Sequence, residues 1–290
     1  MNPVAFDYHR AASVEEAIAL LAEHGDTAKL IAGGHSLLPI MKLRLAEPAH
    51  LVDISLIAGL RGVRDDGDTL RIGALTTHRD LTRDPAVRAK APLLAETAAR
   101  VGDQQVRNRG TIGGALAHAD SAADEPAAIV ALRATLVATG ANGSREIAAD
   151  DFFVDFLTTT LEPGEVLTEI VVPARAARSG ASYQKLANQA SGYAVVGVAV
   201  VVALDDAGHC ADASVAITGA AATVHRAVAT EAALRGSALD ADAIAKAAAQ
   251  AAEGLLALDD LSGSAAYRER VTQGLARRAI EAAVARANDA

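Results

Sequence analysis

The chain has 290 residues, 51% of them hydrophobic, and its 27 basic and 36 acidic side chains give a formal charge of −9 at pH 7. That length allows one large domain or two medium ones, each with a hydrophobic core. The acidic balance argues against a non-specific nucleic-acid binder, because such proteins need a basic face to neutralise phosphates. We therefore expect no nucleic-acid partner.

Cys210 is the single cysteine. One cysteine forms no disulfide within the chain, and it cannot by itself build a cysteine-ligated zinc or iron–sulfur site. The opening MNPVAFDYHR lacks a basic region followed by an apolar stretch, and the apolar run at 193–204 is too short to span a bilayer. We expect a cytoplasmic chain without a membrane span.

The first predicted elements alternate between strand and helix. Ser13 and Glu16 form a capping box, and the helix that they begin is expected to end at Gly25. A short strand then leads into the stretch AGGHS at 32–36, and a second strand covers 50–55. This order predicts a β-α-β-like opening.

The middle of the chain is predicted to mix strands and helices. A strand at 69–74 follows the turn DDGD, and helical segments with a break near Pro92 lead to a second glycine stretch, RGTIGG, at 109–114. A helix at 125–133 and two strands, ATLVAT and GEVLTEIVVP, complete this part, which Pro173 closes.

The last third is predicted to be a sheet followed by helices. A small polar segment at 174–180 indicates a domain boundary. Beyond it, three strands, including a buried one at 193–204, precede alanine-rich helices that start near residue 224. A sheet followed by a helical bundle is an α+β arrangement.

Two glycine stretches are the candidate binding elements. Glycine adopts positive φ without steric cost and has no side chain, so successive backbone amides in such a turn can face an anion. Ser36 in the first stretch and Thr111 in the second add hydroxyl donors. Together the stretches could hold the two phosphates of a dinucleotide, although either one alone is more typical of a tight turn.

No standard nucleotide or metal motif is present. The sequence has no GxGxxG after a strand, no GxxxxGK[ST] loop and no HExxH helix. The eight histidines are scattered, and His35, His78 and His118, near the glycine stretches, lack ligand spacing to one another. The sequence therefore predicts neither a metal site nor a catalytic residue in this chain.

Four segments together resemble a known family: FDYHRAASVEEAIALLAEHGDTAKLIAGGHSLLPIMKLRL, IGALTTHRDL, VRNRGTIGGALAHADSAADEPAA and VVGVAV. In order and spacing they are similar to the FAD-binding medium subunits of the molybdenum hydroxylases, the carbon monoxide dehydrogenase and xanthine dehydrogenase family. The resemblance implies an α+β fold. A two-subdomain FAD-binding domain of the vanillyl-alcohol-oxidase (PCMH) type would cover 1–176, with subdomains of about 1–57 and 58–176, and a smaller C-terminal sheet-and-helix domain would cover 177–290.

The resemblance also implies an FAD site. The first stretch would wrap the pyrophosphate, with residues 111–115 on its other side. Asp124 would hydrogen-bond the ribose or ribityl portion; from the residues alone, it is also a suitable helix N-cap. The implied cofactor contacts are Ala32, Gly33, Gly34, His35, Ser36, Val101, Thr111, Ile112, Gly113, Gly114, Ala115, Asp124, Leu167, Lys185 and Tyr193.

Four of these positions are implied to lie near the rings. Val101 and Leu167 would line the flavin or the adenine, and plain core packing is the alternative for both. Lys185 and Tyr193 would approach the isoalloxazine, where an ammonium would favour the reduced, anionic flavin and a tyrosine could stack on one face. The alternative for Lys185 is a solvated charge at a strand end.

The function that the resemblance implies is electron transfer. A large molybdopterin-binding subunit would oxidise the substrate, a small subunit with two [2Fe–2S] clusters would pass electrons on, and this chain's FAD would deliver them to an external acceptor. The complex is expected to be a dimer of heterotrimers. Two alternatives stay open: a self-contained flavin-dependent oxidase or dehydrogenase acting directly on a small organic substrate, and a nucleotide-binding module without redox chemistry.

Overall fold

The computed structural model describes residues 2–289, and its first unit is a three-stranded parallel sheet with helices. The elements of this unit are β1 (Asp7–Arg10), α1 (Val14–His24), β2 (Ala28–Ile31), α2 (Leu37–Lys42) and β3 (His50–Asp53). The strand order is β1-β3-β2, and both neighbouring pairs are parallel. Parallel neighbours need crossover connections, which α1 and α2 supply.

The capping box predicted at the start of α1 is confirmed. The amide of Glu16 donates to Ser13 Oγ at 3.2 Å, and Glu16 Oε2 accepts from the amide of Ala12 at 2.7 Å. Gly25 ends the helix with φ of +53°, a conformation that glycine adopts readily. The apolar face of α1 packs on the sheet through Ala17 and Ile18, so the first glycine stretch begins at a fixed point, directly after β2.

The second unit is a five-stranded antiparallel sheet with strand order β4-β5-β10-β6-β7. Its strands are β4 (Val63–Asp65), β5 (Thr69–Gly73), β6 (Thr135–Gly140), β7 (Gly143–Ala148) and β10 (Val166–Pro173), and β8 (Phe153–Asp155) with β9 (Thr158–Thr159) forms a separate hairpin. Its helices are α3 (His78–Arg83), α4 (Pro85–Lys90), α5 (Pro92–Arg100), α6 (Gln104–Arg109), α7 (Ile112–His118), α8 (Glu125–Ala131) and α9 (Ala149–Phe152).

The helical segment after β5 is broken at two prolines, not at Pro92 alone. Pro85 stands at the first position of α4, where Asp84 accepts hydrogen bonds from two backbone amides, and Pro92 begins α5. Proline fits the first turn of a helix but interrupts a helix interior, because it lacks an amide hydrogen and clashes with the preceding turn. The break at Pro92 was predicted and is confirmed.

The third unit is a four-stranded antiparallel sheet, in the order β11-β12-β13-β14, with helices packed on it. Its elements are β11 (Ser179–Ala187), β12 (Ala194–Leu204), β13 (Cys210–Thr218), β14 (His225–Arg226), α10 (Val228–Leu234), α11 (Ala241–Ala248) and α12 (Ala265–Asn288). The predicted buried strand is confirmed as β12. The alanine-rich segment 240–256 has a sequence that predicts one helix throughout, but the helix α11 ends at Ala248.

The expected domain boundaries fall in segments between these units. The division near residue 57 lies between β3 and β4, and the division at 176 lies between β10 and β11. Among residues 2–289, no helix combines the length and the apolar character needed to cross a bilayer.

Candidate cofactor-binding site

A large cavity runs between the first and second units and reaches the third. Its volume is about 1190 Å³, above the roughly 300–1000 Å³ of sites for drug-sized ligands. Its walls include both glycine stretches, the end of α1, the start of β10 and the segment before β12. These dimensions suit an elongated ligand such as a dinucleotide.

The first glycine stretch lines this cavity with its backbone donors free. All residues of Ala32–Ser36 are on the wall. Within the part of the chain that the structure describes, the amides of these residues donate no hydrogen bond to the protein. Gly34 has φ of +73°, a bend that glycine makes without strain. A run of free amides around such a bend carries positive potential and fits an anionic group.

The second glycine stretch also lines the cavity, but its amides are already engaged. Each of the four amides donates within the chain: Ile112 to Thr76 O at 3.0 Å, Gly113 to Ala74 O at 2.8 Å, Gly114 to Thr111 Oγ1 at 3.2 Å and Ala115 to Thr111 O at 3.0 Å. The expectation of free amides in both stretches therefore does not hold for residues 112–115.

The second stretch contributes close packing instead. A β-carbon on Gly113 would lie 2.7 Å from the carbonyl oxygen of Ala74, so only glycine fits there. The side chain of Ile112 is fully buried in the core and is not on the cavity wall. On the cavity wall the second stretch presents Gly110, Thr111, Gly113, Gly114 and Ala115, whose small size lets a ligand approach the backbone closely.

The two stretches meet directly. A β-carbon on Gly33 would overlap the carbonyl of Arg109 and would lie 2.9 Å from the Cα of Gly110. The first bend is therefore pressed against the segment that starts the second. The sequence prediction that the two stretches converge on one site is consistent with this contact.

Asp124, on the cavity wall, is held by two side chains of the third unit. Lys185 Nζ lies 2.8 Å from its Oδ2, and the hydroxyl of Tyr183 donates to its Oδ1 at 2.6 Å. The side chains of Asp124 and Lys185 are only 4% and 2% exposed. Burial raises the pKa of Asp124 to about 6, although the ammonium of Lys185 opposes that shift. A carboxylate in this position stands between the cavity and the C-terminal sheet.

This geometry tests two of the alternatives considered from sequence. Asp124 occupies the N-cap position of α8, but its side chain makes no capping hydrogen bond, so the expected capping contact is not formed. Lys185 is a buried ion-pair partner rather than a solvated charge at a strand end. Lys185 is also not among the residues that line the cavity, and its contact with the isoalloxazine stays a prediction.

Tyr183 is a site residue that sequence reasoning missed. It is almost fully buried, and burial together with Asp124 raises the pKa of its phenol. Its hydroxyl reaches Asp124 because the neighbouring strand carries Gly197, where any β-carbon would overlap that hydroxyl. The available signal was this glycine inside an apolar strand, which marks a close approach.

A second buried pair, also missed from sequence, lies on the cavity wall. His78 Nδ1 is 2.6 Å from Glu125 Oε1, and the two side chains are 5% and 1% exposed. The contact is an ion pair when the His78 ring is protonated. Burial lowers the pKa of His78, but the carboxylate of Glu125 outweighs burial and the net shift is upward. The adjacent carboxylates at 124 and 125 thus pair with two different basic side chains, Lys185 and His78.

The remaining predicted residues also lie on the cavity wall. Val101, Leu167 and Tyr193 all line it. Leu167 is buried and belongs to the core cluster as well, so core packing and ligand contact are compatible there. Tyr193 keeps 40% of its surface exposed, which leaves its ring available to a ligand. Their individual contacts with flavin or adenine stay predictions.

The side chains and amides present fit FAD. Free amides at 32–36 match phosphate oxygens. Asp124 accepts two hydrogen bonds from the protein, which leaves about two of its roughly four lone-pair positions for hydroxyl groups of a ligand. Val101 and Leu167 provide apolar surface of the kind that lines sites for ring systems.

Comparison with known proteins defines the class. Residues 4–175 match the family described as the FAD binding domain in molybdopterin dehydrogenase, and residues 181–283 match the CO dehydrogenase flavoprotein C-terminal domain. The chain therefore belongs to the FAD-binding medium subunits of the molybdenum hydroxylases, and it is a flavoprotein subunit of an oxidoreductase.

Individual relatives match over their full lengths. The carbon monoxide dehydrogenase medium chain of Hydrogenophaga pseudoflava is 44% identical over 286 residues, covering 99% of both chains. The 6-hydroxypseudooxynicotine dehydrogenase complex subunit alpha of Paenarthrobacter nicotinovorans is 40% identical, covering 99% of this chain and 97% of the relative. The family and the FAD cofactor predicted from sequence are thus confirmed.

Solved structures agree with the fold. The carbon monoxide dehydrogenase from Hydrogenophaga pseudoflava that lacks the Mo-pyranopterin moiety gives a TM-score of 0.95 at 47% identity, over 99% of each chain. Quinoline 2-oxidoreductase from Pseudomonas putida 86 gives 0.93 at 35% identity, also over 99% of each chain. The predicted α+β fold, an FAD-binding domain followed by a C-terminal sheet-and-helix domain, is confirmed.

Proposed function

We propose that this chain is the electron-transfer subunit of a molybdenum hydroxylase complex. It would hold FAD between the [2Fe–2S] clusters of a small partner subunit and an external electron acceptor, while a large molybdopterin-binding subunit oxidises the substrate. Bound FAD supplies the redox chemistry, and the protein binds, orients and tunes it. We expect the assembly to be a dimer of heterotrimers.

The observation that carries the proposal is the run of free amides in Ala32–Ser36 on the wall of a dinucleotide-sized cavity. Free amides hold a diphosphate without any positively charged side chain. Thr111 adds a hydroxyl that accepts from Gly114 and keeps its own proton available for a phosphate oxygen. These two observations support a diphosphate position at the junction of the two stretches.

The cysteine content supports placing the proposed iron–sulfur clusters on a partner subunit. Cys210 is the single cysteine of the chain, and it is buried in β13 of the third unit. Burial raises the pKa of its thiol to about 11, which keeps it protonated, whereas metal ligation requires a thiolate. In the proposed complex, clusters that feed the flavin would therefore belong to another chain.

The buried charges next to the cavity could adjust the reduction potential of a bound flavin. Asp124 and Glu125 each face a cationic or protonatable partner, Lys185 and His78, so opposite charges compensate one another within the wall. Removing Lys185 would take a buried positive charge away from this side of the cavity. We expect Lys185→Ala to lower the flavin reduction potential more than it weakens FAD binding, because loss of a nearby positive charge disfavours a reduced, anionic flavin.

One observation favours the second candidate function, a self-contained flavin-dependent oxidase or dehydrogenase. Such an enzyme needs an acid–base pair beside the ring, and His78 with Glu125 is a titratable pair on the cavity wall. Both side chains are nearly inaccessible and paired with each other, however, which makes proton exchange with a substrate difficult.

The test is to isolate the chain from its native cells together with the proteins bound to it. We expect stoichiometric FAD, molybdenum and iron in one complex, with the flavin bleached by substrate only when the partner chains are present. A lone chain that holds FAD and oxidises a small organic substrate would establish the second candidate. A chain that stays colourless when supplied with FAD would overturn both.

A further inference from the structure

Three histidines that are far apart in sequence meet in the first unit. His9 lies in β1, His24 is the last residue of α1 and His50 is the first residue of β3. One ring nitrogen from each lies within 4.8 Å of the other two. None of the three lines the cofactor cavity, so the cluster is a separate feature of the molecule.

The fold explains why they meet. Asp7 is opposite His50 in the parallel pairing of β1 with β3, and side chains alternate along a strand, so His9 shares the face of Asp7 and His50. The helix α1 covers this face of the sheet. Its C-terminal residue, His24, therefore arrives beside the two strand histidines.

The three rings are close and only half-buried. His9 Nε2 is 3.1 Å from His50 Nδ1, and the rings of His24 and His50 stack with centroids 3.9 Å apart. A carboxylate is also near, because Asp7 Oδ2 lies 3.9 Å from His50 Nδ1. Three imidazoles and one carboxylate are thus gathered at the end of one helix.

This donor set matches a divalent transition metal. Zn²⁺ is bound by histidine nitrogens at about 2.0–2.1 Å in tetrahedral geometry, which corresponds to ligand separations of roughly 3.3 Å. The 3.1 Å between His9 Nε2 and His50 Nδ1 is already close to that value, and a ring nitrogen of His24 lies within 4.8 Å of both other histidines. Imidazole suits Zn²⁺, Ni²⁺ and Cu²⁺, whereas Mg²⁺ and Ca²⁺ prefer oxygen ligands.

We propose that His9, His24 and His50 form a binding site for a divalent transition-metal ion of the Zn²⁺ class, with Asp7 or water as the fourth ligand. The ion would tie the end of α1 to β1 and β3. Gly25 and Asp26, directly after His24, line the cofactor cavity, so a bound ion also fixes the turn that forms this part of its wall. Because the ligands come together only in the folded chain, the ion stabilises the native state.

The experiment uses the FAD-loaded chain without a histidine tag, stripped with a chelator and titrated with Zn²⁺ by isothermal calorimetry. We expect saturable binding of a single ion per chain, a rise in the thermal midpoint and no binding of Mg²⁺. His24→Asn and His50→Asn should each raise the Kd for Zn²⁺ by about tenfold or more, since loss of a ligand exceeds the effect of losing a supporting contact. His209→Asn, at an exposed histidine in the turn before β13, should leave the Kd unchanged.

Two results would overturn the proposal. The first is no saturable Zn²⁺ binding to the unaltered chain, and the second is a Kd for Zn²⁺ in both ligand variants that equals the Kd of the unaltered chain. The FAD content of each variant reports whether it has folded. If a variant fails to fold, zinc-edge X-ray absorption on the unaltered chain decides, because imidazole ligation gives a characteristic spectrum. A zinc environment without imidazole would reject the site.

Discussion

The two glycine stretches are similar in sequence and opposite in construction. In residues 32–36 no amide donates a hydrogen bond within residues 2–289, whereas all four amides of residues 112–115 are engaged inside the chain. Glycine exposes the backbone in the first stretch. In the second, Gly113 allows helix α7 to press against Ala74. The same residue type therefore serves binding in one place and packing in the other.

The two glycine stretches also differ in the charged side chains that surround them. The first stretch offers neutral backbone dipoles, and no charged side chain takes part in its donor set. The second is backed by the pairs His78–Glu125 and Lys185–Asp124, all nearly inaccessible to solvent. Changes in the first region should therefore affect cofactor binding, and changes in the second should affect stability and its dependence on pH.

The largest expected effect is that of Gly33→Ala on FAD binding. The new β-carbon would overlap the carbonyl of Arg109 and push the free amides out of place. Losing two charge-assisted hydrogen bonds, at about 1.5–3 kcal/mol each, raises the Kd for FAD by about a hundredfold or more. Flavin fluorescence titration measures this. Gly59→Ala is the matched control, since a β-carbon there meets nothing within 4 Å; a Gly33→Ala chain with full flavin occupancy would contradict the assignment of the first stretch.

Lys185→Met tests the charges behind the second stretch. It leaves Asp124 buried without its cation, and breaking a buried pair in this way costs about 3–5 kcal/mol of unfolding free energy. Urea unfolding at neutral pH gives the value. The double variant Lys185→Met with Asp124→Asn removes the unpaired charge and should recover most of the loss. No recovery would mean that packing, and not charge, dominates at this position.

The pH dependence of stability tests the raised pKa of Asp124. Its folded pKa of about 6 exceeds the ordinary value of 3.8. The associated stability is therefore present below about pH 4 and is lost as pH rises through 6. Relative to Asp124→Asn, the unaltered chain should lose roughly 2–3 kcal/mol between pH 4 and pH 7. The raised pKa of His78 acts in both chains and largely cancels in this difference, so parallel stability curves would refute the shift.

Gly113→Ala is expected to have a smaller effect, on stability. Its β-carbon would press on the backbone of Ala74, and overpacking of this kind costs about 1–3 kcal/mol. Gly114→Ala is the comparison, because the added carbon meets only the side-chain oxygen of Thr111, at 2.8 Å, and should cost less. Thermal unfolding of the flavin-free chains ranks the two. Equal costs would show that close packing is not what distinguishes Gly113.

Much of the local structure could be predicted from residues a few positions apart. Ser13 and Glu16 predicted the start of α1, and Pro92 predicted a helix break. The apolar run that forms β12 predicted a buried strand. These signals work because caps, breaks and strand periodicity depend on neighbours along the chain. The alanine-rich segment after Ala248 shows the limit of such signals: its composition favoured a helix, but helix propensity alone is weak without packing.

The properties of the site required contacts between distant segments. Whether an amide at Gly34 or Gly113 is free depends on which strand passes beside it, and Ala74 is nearly forty residues from Gly113. The partner of Asp124 is Lys185, 61 positions away, and the histidine cluster joins two strands and a helix end. The sequence by itself determined which donors and charged groups the chain has. The tertiary structure decided which of them are partners, because a hydrogen bond or an ion pair depends on separation in space, which sequence distance does not report.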